Sequence, residues 1–174
     1  MKAVLVISIM LLATVTGCTE PPANGEGGIM ELKSVFEENG QIPTKYTCDG
    51  EDVNPPLAIS GVPENAQSLV LIVDDPDAPA GTWTHWVIWN IPAHTARIEE
   101  NSIPTGAAQG MNDFHKNEYG GPCPPSGTHH YRFKLYALDG RLSLPEGATK
   151  AQVEQLMEGH ILAQTVLTSV YSRA

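Results

Sequence analysis

SLVLIVDDPDAPAGTWTHWVIWNIP, residues 68–92, holds two apolar runs on either side of a proline-rich corner. With strand alternation, the first run puts Leu69, Leu71 and Val73 on one face and Val70 and Ile72 on the other. Apolar residues on both faces predict a central strand at 68–75 that is covered on both sides. Pro76 and Pro79 in DPDAP end the run, because proline cannot donate to a ladder. THWVIWNI, residues 84–91, reads as a second such strand, stopped by Pro92. If the two pair antiparallel, the end of one and the start of the next share an edge of the sheet, with Asp75 beside His85. Alternation puts Asp75 on the face of Leu69, Leu71 and Val73, and His85 on the face of Val87 and Ile91.

Outward from this pair, HHYRFKLYAL, residues 129–138, places His129, Tyr131, Phe133, Leu135 and Ala137 on one face and His130, Arg132 and Lys134 on the other. IMELKSVF at 29–36, the stretch 57–60 after NPPL, and TVLTSVY at 165–171 complete the strands. Residues 150–163 carry apolar side chains at 153, 156, 157 and 161, a helical spacing. Short strands, irregular connections, 16 glycines and 14 prolines predict a mainly β fold. Its expected form is a two-sheet antiparallel Greek-key β-sandwich with one or two short helices near the C-terminus.

The 174 residues are enough for one folded domain, placed at 29–174. A net charge of -10 excludes nucleic acid as a partner, which requires basic surface. Residues 1–18 read as an address: Lys2, an apolar run at 3–15, and VTGC ending at Cys18, similar to a lipoprotein signal. Cys18 would then carry the lipid, and TEPPANGEGG at 19–28 would be a flexible tether to the membrane. An uncleaved anchor with an incidental cysteine is the other reading, and both place the domain outside the cytoplasmic membrane.

His129 opens its strand directly after GGPCPPSG, so Asp75, His85 and His129 are expected at one rim, walled by DPDAP and GPCPP. Imidazoles and the backbone N–H groups of Gly120 and Gly121 are donors suited to an anion, and Trp83 and Tyr131 offer apolar walls. Asp75, His85 and His129 also have the composition of a metal triad. No HxxxH or CxxC spacing is present, so neither metal nor other cofactor is expected.

DPDAP, TWTHW, NDF, YGGPCPPSG, HHYRF and LYALD together resemble the two central signatures of the phosphatidylethanolamine-binding protein family, in its bacterial and archaeal Raf-kinase-inhibitor-like branch. IPTKYTCDG, NPPL, GHILA and YSR extend the resemblance over about 29–173. It implies a β-sandwich with a small anion pocket at Asp75, His85 and His129, with Asp77, Trp83, Gly121, Pro122 and Tyr131 around them. Two positions depart from the family pattern: His130 stands where arginine is usual, and His115 follows NDF where glycine is usual. If the latter position requires positive φ, His115 is strained.

Cys123 beside His129 invites a thiol nucleophile, but nothing in the sequence lowers its pKa. With Cys18 lipidated, Cys48 and Cys123 remain, either as a disulfide or as two buried thiols. The function expected is a non-enzymatic module for a phosphate-like or carboxylate anion or a lipid headgroup, tethered to the envelope and able to modulate a kinase or hydrolase. One alternative is a phosphoester or acyl hydrolase with a histidine base oriented by Asp75, although no GxSxG motif is present. Another is an inhibitor that binds a protein target through the rim loops.

Overall fold

The computed structural model describes residues 29–173; the leader, Cys18 and the tether lie outside the described residues. Among the described residues, eight strands form two sheets: β1 (Glu31–Lys33), β2 (Leu57–Ser60), β3 (Ser68–Asp75), β4 (Trp83–Pro92), β5 (Arg97–Ile98), β6 (Ala108–Gln109), β7 (Gly127–Leu138) and β8 (Ile161–Arg173). One helix, α1 (Lys150–Met157), and a 3₁₀ turn at Thr44–Tyr46 complete the elements. The small sheet runs β1-β2-β5 and the large one β6-β4-β3-β7-β8. All strand pairs are antiparallel. From β4 the chain returns to the far side of β3, the long crossover of Greek-key wiring. The mainly β, two-sheet expectation therefore holds.

β3 is the middle strand of the large sheet, and all eight of its residues are buried. Leu69, Leu71 and Val73 pack with Phe133, Leu135, Leu57 and Ile98 between the sheets. Val70 and Ile72 pack with Val87, Trp89, Val153 and Met157 under α1. The doubly apolar run is thus explained by three layers: small sheet, large sheet, helix.

Two elements are shorter than their patterns predict. The first strand spans only Glu31–Lys33, because Ser34 leaves the ladder to donate to the Pro56 carbonyl at 2.8 Å. The helix begins with a capping box between Thr149 and Gln152 but ends at Met157, not at Ala163. Gly159 adopts φ 79°, which turns the chain, and Ile161–Ala163 join β8.

Asp74, the neighbour of Asp75 on the opposite face of β3, has a fully buried side chain in the helix layer. Arg132 Nε (2.9 Å), Lys134 Nζ (2.6 Å) and Lys150 Nζ (3.1 Å) surround it. Burial pushes its carboxyl up, but Lys134, Arg132 and Lys150 outweigh burial and hold it below the ordinary carboxylate value. This cluster ties β3, β7 and α1 together behind the rim where the polar groups meet.

Candidate functional site

Antiparallel pairing of β3 with both β4 and β7 brings the end of β3 beside the starts of both neighbours. Asp75 is the last residue of β3 and lies opposite Trp83. His129 donates from Nδ1 to Asp75 Oδ2 at 2.7 Å, and the Asp77 backbone N–H donates to Asp75 Oδ1 at 2.8 Å. Both carboxylate oxygens are therefore engaged, and only Nε2 of the His129 ring is left for a ligand. Asp75 is 3% and His129 7% exposed.

His85 reaches the same place by a different device. The β3–β4 register passes from Val73 opposite Trp86 to Asp74 opposite Thr84, which leaves His85 as the extra residue of a bulge. Simple alternation put His85 on the face of Val87, but Val87 packs under α1 while the His85 ring meets Tyr131 at 5.2 Å on the inter-sheet side. The bulge accounts for the difference: it re-aims the histidine toward Asp75. Its Nδ1 lies 2.6 Å from the Gly120 carbonyl, and since a carbonyl only accepts, Nδ1 carries the hydrogen. Burial pushes this imidazole below its ordinary value; the Gly120 carbonyl and the charge of Asp75 offset that only in part. His85 is thus held neutral, with a lone pair on Nε2.

Asp75, His85, His129 and Trp83 line one cavity of about 240 Å³ with Ala78, Pro79, Ala80, Phe114, Cys123 and Pro125. DPDAP supplies one wall and GPCPP part of another. The Trp83 Nε1–H is buried and has no acceptor among the described residues. The Tyr131 hydroxyl is likewise buried and unpartnered, and burial together with the charge of Asp75 pushes its pKa up.

Four of the expected residues are not in the cavity lining. Tyr131 packs edge-on against the His85 ring, with centroids 5.2 Å apart. Asp77 sits on the outer rim, where Oδ2 accepts from the His130 Nδ1 (2.6 Å) and backbone N–H (2.9 Å). This outward contact occupies the histidine that stands where the family usually has arginine. The Gly121 N–H donates to Asp52 Oδ1 at 2.6 Å, and the Pro122 carbonyl accepts from the Cys48 N–H at 3.2 Å. The Gly120 N–H donates to the His85 carbonyl at 3.0 Å. The two glycine amides therefore hold the loop in place rather than face an anion. A Cβ on Gly121 would lie 2.6 Å from both Asp52 Oδ1 and the Tyr46 carbonyl, so no larger residue fits that approach. Cys48 and Cys123 form a disulfide, so Cys123 is not a thiol nucleophile.

Phe114 is the lining residue that the alternation pattern does not reveal. Its ring stands edge-on to Trp83 and His85, with centroids 5.4 Å from each. Asn112, 2% exposed, holds its loop. Asn112 Oδ1 accepts from the N–H groups of Phe114 and Lys116, both at 3.0 Å, and Nδ2 donates to the Glu118 carbonyl at 2.8 Å. His115 adopts φ 62°, the left-handed conformation in which glycine is unstrained. The glycine usual after NDF was the available signal for this tight loop.

The model of the family described as phosphatidylethanolamine-binding protein matches residues 32–172. The chain belongs to the phosphatidylethanolamine-binding protein family. A UPF0098 protein of Methanothermobacter thermautotrophicus is 52% identical over 150 residues, covering 83% of this chain and 99% of that one. The crystal structure of a phosphatidylethanolamine-binding protein homologue of Chlamydia trachomatis, CT736, matches with a TM-score of 0.81 at 41% identity, covering 84% of this chain and 99% of that one. Escherichia coli YbcL, described as a member of the mammalian family, matches with a TM-score of 0.79 at 34% identity over 84% of this chain and all of that one (100%).

For this family member the chemistry available at the rim is limited. The lining contains no serine or threonine, and its cysteine is oxidised. Among the described residues no group of three or more His, Cys, Asp or Glu side chains is arranged to hold a metal ion. With both Nδ1 atoms taken, what the lining histidines offer is the Nε2 lone pair of His85 and the Nε2 of His129, whose role depends on whether the ring is protonated.

Proposed function

We propose that this chain is a non-enzymatic binding module for a small oxyanion, a phosphate or a carboxylate, held at Asp75, His85, His129 and Trp83. The observation that carries the reading is the Asp75–His129 pair sharing a cavity of about 240 Å³ with His85, whose Nδ1 is taken by the Gly120 carbonyl. Asp75 fixes the tautomer of His129, and an imidazolium at that position presents its Nε2–H as a charged donor. The disulfide and the prolines of both walls keep the site formed before binding, so little ordering entropy is lost.

Titration calorimetry with phosphate, phosphoethanolamine and acetate at slightly acidic pH tests the proposal. Saturable binding abolished by His129→Ala supports it, and no heat with any of the three sinks it. The Asp75–His129 pair also has the form of an oriented general base, which favours a hydrolase as the second reading. With no nucleophile in the lining, such an enzyme would have to activate water. Turnover of phosphoesters or acyl esters that disappears in His129→Ala would establish it. Lipid attachment at Cys18 is part of the same proposal, as it would place the module at a membrane surface. A pulldown that survives His129→Ala but fails when residues 112–119 are exchanged would instead favour a protein target bound through the rim loops.

A further inference from the structure

The hydrogens in the site restrict which oxyanion it can accept. This inference rests on the oxyanion reading and makes it more specific. His85 donates its Nδ1–H to the Gly120 carbonyl at 2.6 Å, leaving Nε2 as an acceptor unless the ring gains a second proton. His129 donates its Nδ1–H to Asp75 Oδ2 at 2.7 Å, and Asp75 Oδ1 is taken by the Asp77 N–H at 2.8 Å. On the cavity side the donor these histidines can supply is therefore the His129 Nε2–H, present when that ring is charged. The His85 Nε2 lone pair faces any ligand oxygen that lies against it. An anion with no hydrogen would press an oxygen lone pair onto it, at the cost of a repulsive buried contact and an unsatisfied acceptor.

We propose that the ligand is an oxyanion that keeps one acidic hydrogen, a P–OH group, and that it donates this hydrogen to His85 Nε2 while another of its oxygens meets His129 Nε2. Hydrogen phosphate and the monoanion of a phosphate monoester meet this requirement. Sulfate and phosphodiesters do not. A diacyl phospholipid headgroup such as phosphatidylethanolamine is a phosphodiester, so the site favours free phosphate or a monoester head over it.

The groups facing His85 from the packed elements agree with this assignment. They are Asp75 from β3, Asp113 from the loop after β6, His129 and Tyr131 from β7, and the carbonyls of Gly120 and Gly121. The two carboxylates would favour a charged ring, but burial outweighs them, so His85 remains a neutral acceptor.

Calorimetry with inorganic phosphate, methyl phosphate, dimethyl phosphate and sulfate on the unmodified chain tests the assignment. Expected is binding of phosphate and methyl phosphate, with sulfate and dimethyl phosphate weaker by about 10- to 100-fold, the loss typical of one buried unpaired group. A monoester loses its second proton near pH 6, whereas inorganic phosphate keeps one hydrogen well above neutrality. From about pH 5 to 8 methyl phosphate should therefore weaken relative to inorganic phosphate by about tenfold or more. Equal affinity for sulfate and phosphate, or a ratio independent of pH, overturns the inference but leaves the oxyanion reading standing. Absence of binding by all four ligands overturns both. His85→Ala should weaken phosphate and erase its advantage over sulfate; an advantage that survives in a folded His85→Ala variant also overturns the inference.

Discussion

Asp75 and His129 are joined by a 2.7 Å hydrogen bond between Oδ2 and Nδ1, although 54 residues separate them in the chain. The end of β3 and the start of β7 meet only because the two strands are antiparallel neighbours. The bond fixes the tautomer of His129 and directs Nε2 to the cavity. Asp75→Asn keeps the shape but replaces a charged acceptor with a neutral amide, which weakens the bond that orients the His129 ring. Phosphate affinity should fall by about 10- to 100-fold, the loss expected for a charge-assisted bond. Calorimetry would measure this, and thermal denaturation would show the fold retained.

Asp74 is adjacent in sequence but opposite in role. Removing it leaves Arg132, Lys134 and Lys150 around an empty centre, so Asp74→Ala should cost about 3–5 kcal/mol in a denaturant titration. Its carboxyl is depressed in the folded state, so its contribution is fully present above the ordinary carboxylate value of about 3.9 and is lost as pH falls through the lower folded value. The wild-type midpoint should accordingly decline below about pH 4, and that acid decline should be shallower in Asp74→Asn.

Asn112 holds the loop that carries Phe114 against Trp83 and His85. Asn112→Ala breaks the bonds to Phe114, Lys116 and Glu118, and the loss of a buried side chain with several partners should cost about 2–4 kcal/mol. Because Phe114 lines the cavity, phosphate should also bind more weakly. Crystallography of the variant should show the 112–116 loop displaced, whereas an unchanged loop would contradict the role given to Asn112.

The Cys48–Cys123 disulfide closes a sequence separation of 75 residues. Loop-closure entropy for that length is worth about 4 kcal/mol, so Cys48→Ser with Cys123→Ser should lower stability by about 2–4 kcal/mol. A denaturant titration with and without reductant on the native chain measures the same quantity.

The parts of this structure that follow regular alternation were readable beforehand. The apolar run at Ser68–Asp75 is the central strand, and His129, Tyr131 and Phe133 share the face that alternation assigns them. Departures occur where the chain breaks its period. The bulge at His85 cannot be seen in a count by twos, since one extra residue reverses every later face. The glycine amides looked like free donors because their acceptors, Asp52 and the His85 carbonyl, come from distant segments. Phe114 lies in a loop held by Asn112, and no periodicity marks a loop residue as part of a wall. Gly159 ended the helix early, although apolar spacing continued to Ile161.

The most direct test of the oxyanion site is to follow the imidazole nitrogens of His85 and His129 by ¹⁵N NMR while inorganic phosphate is added. Both Nδ1 atoms should carry hydrogen throughout, and both Nε2 signals should shift saturably with one affinity. Nε2 signals that stay fixed while phosphate shifts resonances elsewhere, or shifts none, would contradict the account.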